Sequence, residues 1–293
     1  MNFTVEGICD QSVSVMNEVA RIAASCRDVE PVTGTHRVDF SFARPGETNL
    51  FLASHALEAV GFLFIFSPNQ AEAEICGAVA PTYRRRGVFS RLVAEATAEL
   101  CRRGTPELLW VVERGSASGT AFVASVNSVY EITEFEMRFG GALQAARMVV
   151  PEDRPAGWEF RPAGRADMED LLAISAATFG DTAEEARSFL EHTLGVAHRE
   201  LYVGEQDGRT AAMVSIGYFL DEAVINGLAV YPDWQGRGIG GRMLRCAVAR
   251  ALTHSAREIS LEVAANNERA LELYRRNGFE VTTAFSYFRM ALG

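Results

Sequence analysis

Residues 224–244, VINGLAVYPDWQGRGIGGRML, decide how this chain is read. An apolar run, Gly227–Tyr231, passes through Pro232 into a segment holding four glycines (Gly236, Gly238, Gly240 and Gly241) and two arginines (Arg237 and Arg242). Such a segment is too flexible to form core and too cationic to bury alone. It suits an anion: successive backbone N–H groups of the loop can point inward, and a following helix adds its positive end. Glycine lets a phosphate approach without Cβ interference, and Arg237 or Arg242 can add a charge-assisted contact. A plain strand-to-helix turn would need one glycine, so four favour a bound diphosphate. The helix itself is legible: Met243, Leu244, Ala247, Val248, Ala251 and Leu252 recur with helical period.

The same grammar occurs once before. GAVAPTYRRRG (77–87) lies over LAVYPDWQGRG (228–238), with Pro81 over Pro232 and Gly87 over Gly238, each 151 positions apart. Leu92, Val93, Ala96 and Leu100 mark the earlier helix, and Leu108–Val112 and Ile259–Val263 read as the strands that follow. Each half closes on a similar strand-like end, TEFEM (133–137) and SYFRM (286–290). The polar, Pro-rich PEDRPAG (151–157) reads as the join, giving domains 1–150 and 151–293. Beyond it, residues 159–161, 201–203 and 211–218 read as strands. Residues 167–178 and 182–194 read as amphipathic helices capped near Asp167 and Thr182. The mixed order argues α/β units rather than a helical bundle.

Bulk properties narrow the function. The 293 residues carry a net charge of −10, and all 28 basic residues are Arg. Both halves are mildly acidic, 13 Arg against 17 acids and then 15 against 21. No basic nucleic-acid face or polybasic membrane patch is present, and an acidic surface favours cationic acceptors such as amines. Five cysteines without Cys-x-x-Cys spacing and five scattered histidines point to free thiols and no metal site. No apolar run approaches the roughly 20 residues of a membrane span, and the first twenty residues lack a signal pattern. The expected location is the cytoplasm.

Gly236-x-Gly238-x-x-Gly241 also satisfies a dinucleotide fingerprint, which would make the chain an NAD(P)-dependent oxidoreductase. Three features oppose that alternative. Pro232–Gln235 separate the strand from the first glycine, the loop falls deep in the second half, and too little chain follows to complete a doubly wound sheet.

Taken with LEVAANNERALELYRRNGFE (261–280), the run 224–244 resembles the GNAT N-acetyltransferase superfamily. Gln235, Gly238 and Gly240 fit its Gln/Arg-x-x-Gly-x-Gly/Ala motif. Asn267, Ala270, Leu273, Tyr274, Gly278 and Phe279 fit its second motif, and the local flavour is that of peptide amino-terminal acetyltransferases. The resemblance implies an α/β (α+β) fold of two tandem GNAT-like domains, each a mixed twisted sheet flanked by helices, with acetyl-CoA as cofactor. It implies that Gln235, Gly236, Arg237, Gly238, Ile239, Gly240 and Gly241 hold the pyrophosphate, and that backbone of Leu228, Ala229 and Val230 meets the thioester carbonyl. Tyr274 falls where the family keeps its general acid, although it also continues an apolar helical stripe. Asn267 caps that helix or contacts the cofactor.

Direct transfer needs a proton acceptor for the amine, because an alkylamine of pKa about 10 is protonated at neutral pH. Glu222 and Glu262 are the candidates, and either can equally be a solvated edge carboxylate. In the first copy Val79, Arg84, Arg85, Arg86 and Gly87 keep the cofactor-binding pattern, while Phe89 replaces the last small residue, Ser118 lies over Asn267 and Ser125 over Tyr274. That copy reads as degenerate and the second as catalytic, an arrangement that tandem members of the family share. The acceptor is expected to be a primary amine of a small molecule or peptide, bound partly by residues 167–194. A non-catalytic CoA-binding sensor or structural protein is the alternative.

Overall fold

Period-2 strands and period-3.6 helices assemble into two α/β units, seen in a computed structural model that describes residues 2–9, 12–33, 38–140, 156–219, 221–254 and 256–292. In chain order the first elements are β1 (Thr4–Ile8), α1 (Val13–Arg27), β2 (Leu50–His55), β3 (Glu58–Phe66) and β4 (Glu72–Val79). They are followed by α2 (Val88–Arg103), β5 (Glu107–Glu113), α3 (Ala117–Ser125) and β6 (Val129–Phe139). Next come β7 (Trp158–Pro162), α4 (Met168–Phe179), α5 (Ala183–Gly195), β8 (Arg199–Gln206) and β9 (Arg209–Phe219). The last are β10 (Glu222–Val230), α6 (Ile239–Thr253), β11 (Glu258–Ala264), α7 (Glu268–Arg276) and β12 (Phe279–Ala291). The fold class is the expected α/β arrangement with mixed sheets.

The compact units are not the two halves of the sequence. One comprises Met1–Thr133 with Thr283–Gly293, and the other Glu134–Thr282. In the first unit β1 to β5 stand side by side, antiparallel except for β4 with β5, and residues 285–291 of β12 pair antiparallel with β5. In the second unit β7 to β11 repeat that order, with β10 and β11 parallel, and residues 134–138 of β6 pair antiparallel with β11. Each sheet thus takes its last strand from the other half of the sequence. Of the expected join, residues 151–155 lie outside the described residues.

Each sheet is covered on both faces, which is what its apolar pattern requires. In the second unit Ile239, Met243, Leu244, Ala247, Val248 and Ala251 of α6 bury against Val214, Ile216, Ala223, Ile225, Ile259 and Leu261. Leu171, Ile174 and Leu190 of α4 and α5 cover Leu201, Val203, Met213 and Ala229 on the other face. In the first unit α2 takes the place of α6, and α1 covers Leu50, Leu52, Phe62 and Phe64. Thr182 caps α5 as expected, in a reciprocal box with Glu185. Asp167 makes no capping bond to α4: its carboxylate accepts the Gly164 N–H and pairs with Arg161 instead.

Because Phe285 and Tyr287 bury against Leu109 in the first unit, and Arg289 pairs there with Glu72 and Glu107, a chain ending at Thr282 should lose the strand that pairs with β5. Loss of two buried aromatics alone costs about 4 kcal/mol. Urea unfolding should show the first unit's transition moved to lower denaturant; an unmoved transition contradicts the strand exchange.

Candidate functional site

Strand β10 carries one residue more than its counterpart β4. Its pairing with β9 runs in register from Glu222↔Phe219 to Asn226↔Ser215, then resumes at Ala229↔Met213, so Gly227 and Leu228 stand opposite one residue. Gly227 takes φ +58°, the left-handed conformation that a bulge of this kind demands and glycine supplies at least cost. The extra residue also flips the side-chain parity: Ala223 and Ile225 face α6, while Ala229 faces α4 and α5. The parallel ladder to β11 ends at Ile225↔Leu261. Past that point no ladder pairing joins residues 226–230 to β11.

The strand leads through a 3-10 turn, Pro232–Trp234, into the glycine loop. Gly236 and Gly238 sit at φ +76° and +77°, and α6 starts at Gly238 with no side-chain cap. By contrast α1, α3, α5 and α7 begin at Ser12, Ser116, Thr182 and Asn267, each accepting a first-turn N–H. The uncapped turn of α6 leaves its N–H groups to a ligand or water, with the helix's positive end behind them. Gln235 closes the loop: its Nε2 donates to Val230 O at 2.9 Å, and its Oε1 accepts from Arg269 Nη1 at 2.6 Å. Neither expected arginine hangs free, since Arg237 stacks 4.9 Å from the centre of Trp234 and Arg242 4.8 Å from that of Trp158. Gly240 and Gly241 are ordinary helical positions, with Leu273 of α7 near both.

Tyr274 is 8% exposed, in the core beneath α6 and α7, and burial pushes its phenol up to about 12. Asn267 caps α7, its Oδ1 accepting the Ala270 N–H at 3.1 Å. The two expected base candidates separate. Glu222 stands at the start of β10 opposite Glu258, accepts from Ser260 Oγ, and lies about 20 Å along the strand from Leu228. Glu262 instead follows Leu261, immediately where β10 and β11 part, and faces away from α6. Directly opposite it on β6 is Glu136, 1% exposed, which accepts from Arg138 Nε at 2.9 Å and Thr282 Oγ1 at 3.0 Å. Sequence reading misses Glu136, because it belongs to the first half and reaches this sheet only through the exchanged strand.

The first unit keeps the loop and loses the rest. Arg85 occupies φ +60° where Gly236 has +76°, Gly87 takes +80°, and α2 starts uncapped at Gly87. Arg84 repeats the part of Gln235, its Nε donating to Val79 O at 3.0 Å. Yet β3 and β4 pair without a shift from Gly61↔Val79 to Phe66↔Glu74, so no bulge forms. A cavity of about 620 Å³ does open where β4 and β5 part, walled by Phe89, Trp110 and Phe122, which stack edge to face. Cys26, Glu30 and Val32 border it, and Glu30 pairs with Arg84 at 2.8 Å and accepts the Ser118 N–H at 2.7 Å. Burial alone would raise the Glu30 carboxyl, but the Ser118 hydrogen bonds and Arg84 hold it below its ordinary value. Ser125, in the place of Tyr274, is exposed and bonds Phe122 O.

Known proteins share this arrangement in sequence and in fold. The acetyltransferase (GNAT) family matches residues 167–279. The chain is 27% identical to the mycothiol acetyltransferase of Clavibacter michiganensis subsp. michiganensis over 227 residues, 75% of this chain and 72% of that one. It is 30% identical over 114 residues to a Bacillus subtilis protein assigned as a ribosomal protein bS18-alanine N-acetyltransferase, 39% of this chain and 75% of that one. A solved GCN5-related N-acetyltransferase from Sphaerobacter thermophilus shares the fold, with a TM-score of 0.73 across 99% of this chain and 96% of that one at 18% identity.

A left-handed Arg is strained by about 1 kcal/mol or more. Arg85→Gly should therefore leave the first unit as stable or up to about 1 kcal/mol more stable, against the usual cost of a new glycine. Urea titration checks this; a clear loss of stability would show that the loop does not depend on that backbone shape.

Proposed function

The chain belongs to the acetyltransferase (GNAT) family and is an N-acetyltransferase, and from that premise we propose that its second unit moves acetyl from acetyl-CoA directly to a primary amine of a small molecule or peptide. The bulge at Gly227, opening the cleft beside an uncapped glycine loop, carries this reading. The first-turn N–H groups of α6 and the loop Gln235–Gly241 would hold the diphosphate. The freed main chain of Leu228–Val230 would donate to the thioester oxygen as it gains negative charge.

Starting from the ammonium ion, chemistry then needs two protons taken from nitrogen and one given to sulfur. Glu262 is the better placed acceptor of the first amine proton, and the neutral nitrogen forms its bond to the carbonyl carbon. As the C–S bond breaks, Tyr274 gives its phenolic proton to the leaving thiolate, and the second proton shed by the nitrogen restores the phenol. Burial that holds the phenol neutral also raises the basicity of a thiolate beside it, which offsets part of the phenol's weaker acidity. Asn267 serves by fixing the start of α7, which carries Tyr274. Val79 and Arg84–Gly87 would hold a phosphate group in the first unit without transfer, since that unit has neither bulge nor buried acid.

Calorimetry should show acetyl-CoA binding, and free thiol should appear with members of an amine panel. Tyr274→Phe is expected to cut kcat by about 100-fold and leave acetyl-CoA affinity within about twofold. Because the phenol titrates near 12, wild-type turnover should show no loss from its ionisation below about pH 10. Binding without thiol release across the panel would favour a CoA-sensing protein instead.

A further inference from the structure

The cavity of about 620 Å³ in the first unit is walled by aromatic residues that the second unit does not repeat. Phe89 is the second residue of α2, where α6 has Gly240. Trp110 lies opposite Ile75 at the end of the parallel ladder, the place that Leu261 takes opposite Ile225. Phe122 of α3 joins them, its ring 4.8 Å from that of Phe89 and 4.9 Å from that of Trp110, both edge to face. Rings set at steep angles to one another offer both faces and edges to a further flat ring. The volume is that of pockets that enclose small organic molecules.

Two groups of that wall call for an acceptor. Trp110 is 3% exposed, and its indole Nε1–H has no hydrogen-bond partner. A buried donor left unpaired costs about 1–3 kcal/mol, a cost that leucine at the same place in the second unit does not carry. Of the charged residues around the cavity, Glu30 and Arg84 pair with each other, and Glu113 accepts from the Thr33 N–H and from Thr283 Oγ1. Arg85 is exposed and has neither an ion pair nor a hydrogen bond among the described residues. It sits beside the uncapped start of α2, whose positive end also favours an anion. We propose that this cavity binds a small aromatic carboxylate. The ring packs among Phe89, Trp110 and Phe122, and the carboxylate accepts from Trp110 Nε1 and Arg85. One free cation and one neutral donor match a monoanion better than a phosphate dianion, whose desolvation costs more. The site is separate from the transfer proposed for the second unit and stands without it.

Calorimetry of the full chain with 2-naphthoate tests the site. One molecule should bind per chain with a Kd below about 1 mM, and about 10-fold more tightly than 2-naphthamide, which has the same shape without the charge. Trp110→Phe keeps an aromatic wall and removes the donor, while Arg85→Gln removes the charge at an exposed position. Each should weaken 2-naphthoate by about 5- to 10-fold. Arg85→Gln should leave the melting temperature of the unliganded chain unchanged, so that its loss of affinity reads the contact and not the fold. The proposal is overturned if 2-naphthoate at about 1 mM gives no binding heat, or if the amide binds as tightly. It is also overturned if either variant binds 2-naphthoate as the wild type does, which would place the ligand elsewhere. Tighter binding of 2-naphthyl phosphate than of 2-naphthoate would overturn the choice of a carboxylate.

Discussion

A sheet cannot both pair every backbone group and present some of them to a ligand, and the second unit resolves that conflict with one inserted residue. Gly227 lets β10 bulge, and the strand then runs beside β11 without pairing. That break frees main chain beside β11 and turns Ala229 toward α4 and α5, whereas the loop and the uncapped helix are common to both units. The buried cores of the unit keep these main-chain groups where they are, so the ligand meets donors that need no rearrangement.

The two units show how little of a shared frame fixes chemistry. Both keep the parallel strand pair, the left-handed loop positions and the uncapped helix, even where Arg85 has to adopt a conformation suited to glycine. The first unit nevertheless continues β4 without a bulge, walls its cavity with Phe89, Trp110 and Phe122, and borders it with Glu30. Backbone shape is shared there while the side chains around it differ, since the shape is held by the packing of a whole unit.

Much of this was legible in the sequence, for reasons that differ by feature. The helix stripes and the repeat could be read because local period and turn chemistry are written in adjacent residues. Even the bulge left a trace: the stretch from Glu222 to Pro232 is one residue longer than that from Glu72 to Pro81, although the expected alignment was anchored only on its proline and glycine. Glu136 left none. Its place opposite Glu262 depends on which sheet adopts TEFEM, and the resemblance of that segment to SYFRM makes the choice invisible without the long-range pairing. Glu222 and Glu262 were equal on paper because distance along a strand from the cleft is set by register, which a single sequence does not encode.

The account stands on main-chain donors polarising a thioester held in the cleft of the second unit. Difference infrared spectroscopy of acetyl-CoA labelled with carbon-13 at the acetyl carbonyl reads that contact directly in the full chain, with Arg84→Ala/Arg85→Ala included to weaken binding to the first loop. The bound carbonyl stretch should move to lower frequency than that of the free thioester. A bound thioester whose carbonyl absorbs where the free one does would contradict the account.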